Sequence, residues 1–527
     1  MMVRSRLPLL AVLLSVAVVA AGCSSKKSSI GGADAPANTL RVGIERPQSL
    51  DPAQARSPSE LLVSEQLFDA LTTYDPITSA VLPAAAASWV ASPDQRHWDF
   101  TLRPGAKFSN GREVTSEDVR YTFERITRKG SSSPAASPLS GITGFKAFNN
   151  DGKAPTLAGI TTPSPQIAHF DLDEPQSSFP SIVGNPSFGI VPKEAVEAQT
   201  PSFALQPVGN GPFMVGTRTD SLLQLVPAPG VVMPLRAIHF QVLPDTGASY
   251  AAFVDGLLDW TAVPADRVEQ VAEDNAESGR PYLGELFYGF NLKNPKFADI
   301  RFREAIVRAI DRDAIVRAIY GGSARRSDEL VADGVPGFQA GACGVRCTRD
   351  PQRSRDLLRE AFGDKPVPEV QIDFDDAGTQ RAVAEAMQAN LKEVGIPAAL
   401  RPHPFADYLK FAVSGQQEIF RLGWIGPYPT ADAFLTPLFL SGLADNVTGF
   451  SSEAVDRLLK NGRIEADEGK RLASYQEAER LVLAELPVIP LAQFQFHSLS
   501  SSRVSGLVIS GLGTFDASKV EVGPSKS

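Results

Sequence analysis

Apolar positions along this chain follow two rhythms, and the clearest change between them falls from Phe287 to Gly322. Phe287, Tyr288, Phe290 and Leu292 form an aromatic-rich run that favours an extended, half-buried backbone, and Asn294-Pro295 breaks it. Phe302, Ala305, Ile306, Ala309 and Ile310 then recur at three- and four-residue spacing, with Arg301, Arg303, Glu304 and Arg308 largely on the other side, which predicts a helix. Asp311 to Asp313 interrupts it, Ala314, Ile315, Ala318 and Ile319 begin a second stripe, and Gly321-Gly322 supplies a stop.

The same reading extends to the rest of the chain. Leu40 to Ile44 predicts a short strand followed by a turn-rich loop. Ser57-Pro58-Ser59-Glu60 has the pattern of a capping box with proline at the first helical position, and Thr115 to Asp118 opens another helix holding Val119, Tyr121, Phe123 and Ile126. Trp98 to Phe108 is strand-like. Residues 129–138 read as a loop and 151–165 as a Pro/Gly-rich connection. Strands and turns resume after Pro192, and helical periods cover 353–362 and 380–394 with a strand, Val370 to Phe374, between them. No clean parallel strand–helix–strand repeat emerges, which predicts a mixed α/β fold.

The N-terminus adds an address. Arg4 and Arg6 precede an apolar run from Leu7 to Ala21 that is too short for a comfortable membrane span, so it reads as an export signal. Val19 to Cys23 resembles a bacterial lipobox, with Ala where Leu is commoner, and predicts that Cys23 becomes the lipidated mature N-terminus. One acyl chain anchors only marginally, whereas a diacylglyceryl cysteine stays on the membrane. Ser24 to Asn38 is small, polar and aperiodic, as a tether would be. The remaining chain, about 490 residues, exceeds what one core supports and calls for at least two lobes. A net charge of −9 without a basic block argues against nucleic acid. Besides Cys23 there are only Cys343 and Cys347; in an exported chain such a close pair most simply forms a local disulfide, and the second Cys or His pair that a zinc site needs does not accompany it.

Catalytic patterns are missing: no G-x-S-x-G, no H-E-x-x-H, no phosphate-binding G-x-x-x-x-G-K, and five histidines scattered singly. Neither an enzyme nor a bound cofactor or metal is expected. The informative stretch is Arg421 to Phe434. Gly423, Trp424, Tyr428 and Asp432 place bare backbone, an indole, a phenol and a carboxylate in one turn-rich segment, which suits a polar-edged cleft, although Trp424 and Phe434 would serve equally in a core. Asp51 before Pro52 reads first as a turn residue.

The run from Phe290-Asn291 through Asp311-Arg312, of the form FN-x5-F-x-D-x-R-x-R-x-A-I-x-x-A-I-D-R, resembles the signature of the family 5 solute-binding proteins. In the same order come S-L-D-P-A around Asp51, L-F-D-A-L-T-T-Y-D-P, the stretch from Trp98 to Ile126, Gly209-Asn210-Gly211-Pro212-Phe213, Leu391 to Ile396 and Leu486 to Leu491. The resemblance implies a periplasmic-binding-protein type II-like α/β fold with two lobes around a hinge, in its three-domain peptide-binding variant. It lays out a signal peptide over 1–22, the lipidated cysteine and tether over 23–38, domain I from 39–67, 187–285 and 495–527, domain II over 68–186 and domain III over 286–494. The lobe crossings would lie near Leu286 to Asn291 and Ala492 to Phe496. It also implies an extracytoplasmic, lipid-anchored monomer that hands a peptide or similar small molecule to an ABC permease and ATPase; other members take nickel chelates, haem or oligosaccharides, and a lipid- or glycan-binding regulator of envelope assembly is the non-transport alternative.

Peptide-binding members carry R-x-G-W-x-x-D-Y in the cleft, where the Asp meets the peptide α-ammonium. Arg421, Gly423, Trp424 and Tyr428 match, but Pro427 stands where the acid should be, and the next acid is Asp432. Asn291 and Asp51 are the other positions that the resemblance places near a ligand. The segment therefore predicts aromatic packing on Trp424 and Tyr428, with Arg421 for a ligand carboxylate.

Overall fold

The computed structural model describes residues 38–524, apart from residues 200, 275–278 and 377. The expected signal peptide, Cys23 and nearly all of the expected tether fall outside the described residues. No helix among them is long and apolar enough to cross a membrane.

Two long strands organise the molecule. Gly279–Phe290 and Val488–Ser500 pair antiparallel, Gly279 with His497 at one end and Gly289 with Val488 at the other. The ladder is irregular between Pro281 and Glu285 and again between Leu286 and Phe287. Such bulges bend a strand locally. On one side the sheet continues through Ile419–Ile425, Val370–Asp375 and Ala398–His403; on the other it runs through Trp260–Ala262, Thr39–Ile44, Ala237–Val242, Leu222–Pro227 and Phe213–Arg218. The pair is thus the bridge between two halves of one sheet.

Each half has its own core. Leu40, Val42, Leu62, Phe240, Trp260 and Phe515 belong to the N-terminal one. A second core runs continuously from Phe100, Phe123, Phe170 and Phe179 to Phe290, Phe302, Ile372, Phe434 and Ile489, so residues 68–186 pack into the same apolar body as the C-terminal half. Residues 68–186 also build a four-stranded sheet in the order Ala86–Ala91, His97–Leu102, Ile167–Asp171, Ile160–Ser164.

Local chemistry explains the element ends. Ser57 and Glu60 form the reciprocal capping box with Pro58 at the helix start, and Thr115 and Asp118 form another. Asp299 caps the helix Ile300–Ala309, and Gly321 closes the following turn at φ 50°. Phe302, Ala305, Ile306 and Ala309 are buried as their spacing predicts; each large side chain among them contributes about 1.5–3 kcal/mol. One charged position, Arg303, departs from the expectation of a polar outer face, and a second arginine of the same run, Arg312, is buried as well. Arg303 is buried and donates to the Phe297 carbonyl at 2.6 Å and the Leu486 carbonyl at 3.2 Å, and Arg312 is buried and donates to the carbonyls of Ser327 (2.8 Å), Pro490 (3.1 Å) and Cys347. These two signature arginines pin loop carbonyls around the strand bridge. The connection 151–165 also differs: its end, Ile160–Ser164, is an edge strand, where Pro163 costs no ladder bond and the register is irregular between Thr161 and Ser164.

Candidate functional site

Beside the strand bridge lies the wall built by Ile419–Ile425. Tyr288 pairs with Arg421, Leu286 with Gly423, Glu285 with Trp424 and Gly284 with Ile425. Strand alternation therefore puts Arg421, Gly423 and Ile425 on one face, and Gly423 and Ile425 are exposed there. The Arg421 side chain lies over Gly423: a Cβ at that glycine would stand 3.2 Å from the guanidinium Nη2. Arg421 Nη1 is 3.4 Å from Asp375 Oδ2.

Around this guanidinium, polar atoms are buried without hydrogen-bond partners among the described residues: Arg421 Nε, Asp375 Oδ2, Gln380 Oε1 and the hydroxyls of Tyr288 and Tyr320. Burial holds the Tyr288 phenol well above its ordinary pKa, with Tyr320, Tyr408 and Asp375 adding to the shift and Arg421 opposing it. All of these hydroxyls are donors at any physiological pH. An unsatisfied buried polar group costs about 1–3 kcal/mol, so a cluster of them is a place made to receive a polar guest, water or ligand. Tyr408, by contrast, is used internally and donates to the Arg421 carbonyl at 2.6 Å.

The N-terminal half has a pocket of its own. A cavity of about 170 Å³ is lined by Gly43, Glu45, Ser57, Trp260, Phe496 and Gly513, among others. Trp260 stacks on Phe496 of the strand bridge, ring centroids 6.3 Å apart and 7° from parallel, and its indole N–H is buried without a hydrogen-bond partner among the described residues. This cavity sits where Thr39–Ile44 ends and the helix Pro58–Leu67 begins, the carboxyl end of a strand and the amino end of a helix.

The rest of the segment read from the sequence goes elsewhere. Trp424 lies on the opposite strand face, half-buried, its indole N–H donated to the Ala433 carbonyl at 2.7 Å. The Pro427 carbonyl accepts from Asn185 Nδ2 at 3.0 Å. Tyr428 is buried and its hydroxyl donates to Asp432 Oδ2 at 3.2 Å. Asp432 is 2% exposed and already surrounded by donors: Gln176 at 2.7 Å and Ser178 at 3.3 Å on Oδ2, Thr436 at 2.6 Å and Tyr475 at 3.1 Å on Oδ1. The segment thus splits, with Arg421 and Gly423 on an open strand face and Tyr428 and Asp432 in a joint with residues 176–185.

Asn291 is buried and its amide donates to the carbonyls of Gly415 (3.0 Å) and Gln417 (2.9 Å), which ties the end of the bridge strand to the turn before Ile419–Ile425. Asp51 caps the short turn at Pro52 by accepting from Ala53 N at 3.1 Å and forms a two-pronged ion pair with Arg125. Cys343 and Cys347 are joined as a disulfide, Cα atoms 5.6 Å apart. Tyr320, Asp375 and Gln380 were not singled out by sequence reasoning. Nothing local marks them; Asp375 ends a strand, Tyr320 ends the helical turn Val316–Tyr320 and Gln380 opens the helix Gln380–Glu393, so only the tertiary fold brings them to Arg421.

Residues 80–446 match the model of the bacterial extracellular solute-binding proteins, family 5. The chain belongs to that family. The dipeptide-binding protein DppE of Bacillus subtilis is 26% identical over 457 residues, covering 82% of both chains. Among solved structures, the murein tripeptide-binding protein MppA in its unliganded open form superposes with a TM-score of 0.83 at 25% identity, over 93% of this chain and 98% of that one. A second structure of MppA, from Escherichia coli, covers 93% and 99% at the same 25% identity but reaches a TM-score of only 0.69. The family fixes the fold as that of the type II-like periplasmic binding proteins, and its members are substrate-binding transport proteins rather than enzymes.

Proposed function

We propose that this protein captures peptides outside the cytoplasm and delivers them to an ABC permease, by closing its two halves over the ligand about the strands Gly279–Phe290 and Val488–Ser500. The observation that carries the site is the cluster of unpartnered buried polar atoms around Arg421. A peptide carboxylate would take the guanidinium N–H groups and the Tyr288 and Tyr320 hydroxyls as donors, and the Trp260–Phe496 stack would cover side chains from the other half. The names of the relatives support peptide as the ligand class. The much better match to the open form of MppA than to its other structure supports an arrangement with the halves apart. Such a hinge closes on a ligand that contacts both halves.

In this reading the domains follow the boundaries set out above, and Cys23 carries lipid that keeps the monomer at the outer face of the membrane. Pro427 and the saturated Asp432 leave the peptide α-ammonium without the usual acid, so the carboxyl end and the side chains carry recognition. Titration calorimetry with a panel of free, N-acetylated and C-amidated di- and tripeptides tests this. C-amidation should weaken binding tenfold or more, and N-acetylation should matter less. Failure of the whole panel to bind, with a non-peptide ligand found by native mass spectrometry, would sink the peptide reading.

A further inference from the structure

A separate cluster sits on the four-stranded sheet of residues 86–171. Along His97–Leu102, Trp98, Phe100 and Leu102 point into the core while His97, Asp99 and Thr101 face out; along Ile167–Asp171, Ala168 and Phe170 are buried while His169 and Asp171 face out. The register sets His97 opposite Asp171 and Asp99 opposite His169. Two imidazoles and two carboxylates therefore form a square on one outer face, the imidazole planes 16° apart.

The contacts within the square are not two separate His–Asp pairs. Asp171 Oδ1 is shared, 2.5 Å from His97 Nδ1 and 3.0 Å from His169 Nε2, while His169 Nδ1 is 2.6 Å from Asp99 Oδ1. One ligand atom each from His97, His169 and Asp171 lies within 4.8 Å of the others. Three donors bound at about 2.0–2.2 Å in a tetrahedron stand roughly 3.4 Å apart, which small side-chain rotations of the exposed His97 and the half-buried His169 and Asp171 reach. Asp99 has the place of an outer partner: by accepting the Nδ1 proton of His169 it selects the tautomer whose Nε2 lone pair faces the shared point, the arrangement that orients metal-ligating histidines. The His97 side chain is 52% exposed, so a fourth position opens to solvent.

We infer that His97, His169 and Asp171 form a surface site for one divalent transition-metal ion of the zinc, nickel or copper class, with Asp99 as a positioning residue. Imidazole with one carboxylate suits these ions and disfavours magnesium or calcium, which prefer all-oxygen shells. The residues are absent from the Arg421 wall and from the Trp260 cavity, so the site does not depend on the peptide reading.

The test is calorimetric titration of the tag-free mature chain with zinc chloride, followed by His97→Ala, His169→Ala and Asp99→Asn. The expected result is one saturable equivalent, a tenfold or greater loss in each histidine variant, and a loss of about tenfold in Asp99→Asn, the low end of what outer partners supply. Circular dichroism and the thermal midpoint check the fold, and His97→Ala decides if His169→Ala proves unstable, because His97 is the more exposed of the two. Absence of a saturable equivalent, or unchanged affinity in His97→Ala, overturns the site.

Discussion

Asp432 accepts a 2.7 Å hydrogen bond from Gln176, a residue 256 positions earlier in the chain. Gln176 in turn accepts from Arg463 Nε at 2.7 Å, and its neighbour Ser177 donates its hydroxyl to the Gly462 carbonyl at 2.9 Å. The carboxylate is therefore the centre of a joint between residues 176–178 and the C-terminal half. Asp432→Ala would leave several buried donors facing an apolar methyl, and its expected cost is about 3–5 kcal/mol in urea unfolding. Peptide affinity, measured under conditions where the variant is folded, should change little. A large rise in Kd with stability intact would make Asp432 a ligand anchor instead.

Arg421 is expected to behave in the opposite way. Among the described residues its Nε is buried without a hydrogen-bond partner and its guanidinium is 3.4 Å from Asp375, so removing it relieves one unsatisfied donor while freeing a carboxylate. Arg421→Ala should reduce peptide affinity by about 1.5–3 kcal/mol, the scale of a hydrogen bond to a charged group, with a smaller effect on stability. Arg421→Lys should recover only part of this, because a point charge cannot reproduce the planar fork. Calorimetry with one C-terminally free dipeptide and its amide separates the outcomes: equal affinities for both in the native protein would remove Arg421 from the site.

The fold was legible in the sequence where local chemistry decides it. The capping boxes at Ser57 and Thr115 and the stripe from Phe302 to Ile310 each act within one element and took their expected form, whereas the aromatic run from Phe287 to Leu292 is a strand only as far as Phe290, and its Phe287, Tyr288 and Phe290 are fully rather than half-buried. The site was legible only in part. Arg421 and Trp424 are three residues apart, and a strand turns them to opposite faces, a fact that depends on Gly423 lying in a ladder with Leu286 rather than in a turn. Asp432 could not be read as saturated, since its donors Gln176, Ser178 and Tyr475 come from distant segments. The same holds for Tyr288, Tyr320 and Asp375, which come from a bridge strand, the helical turn Val316–Tyr320 and the strand Val370–Asp375, segments far apart in the chain.

Glu479 makes a pH-dependent contribution to stability. It is fully buried, Oε1 accepts from the amides of Leu330 (2.6 Å) and Val331 (3.0 Å), and Oε2 has no hydrogen-bond partner among the described residues. Burial raises its pKa to about 7, the two backbone hydrogen bonds oppose that, and Glu329 adds to it. The folded protein then holds a proton that the unfolded chain releases near its ordinary pKa, so stability is highest below about pH 4.5 and falls as pH rises through 7. The loss attributable to this group is at most about 3 kcal/mol. Glu479→Gln should match the native protein near pH 4.5 and exceed it in urea midpoint at pH 8. Parallel stability curves for the two proteins across that range would show that Glu479 titrates normally.

Gly209 belongs to the motif from Gly209 to Phe213, and its reason is a close backbone approach rather than an unusual torsion. A Cβ there would stand 2.0 Å from the Leu67 carbonyl oxygen, and one on Gly211 would stand 2.6 Å from Leu67 C and Phe68 N. Gly211 N also donates to the Leu67 carbonyl at 2.9 Å, so the returning chain is held against the end of the helix Pro58–Leu67 by that bond. Since the obstacle is backbone, it cannot rotate away as a side chain could. Gly209→Ala should therefore lower stability by roughly 1–3 kcal/mol or more, the range of overpacked core substitutions. Gly469→Ala is the matched control. That glycine is exposed in the first turn of Glu468–Glu485 and a Cβ there meets only Asp467 Oδ1 at 3.4 Å, so the change should stabilise by about 0.4–1 kcal/mol through the unfolded chain. Urea unfolding of the three proteins decides. If Gly209→Ala is as stable as the native protein, the Leu67 carbonyl can yield, and the motif must be explained by something other than contact with that helix end.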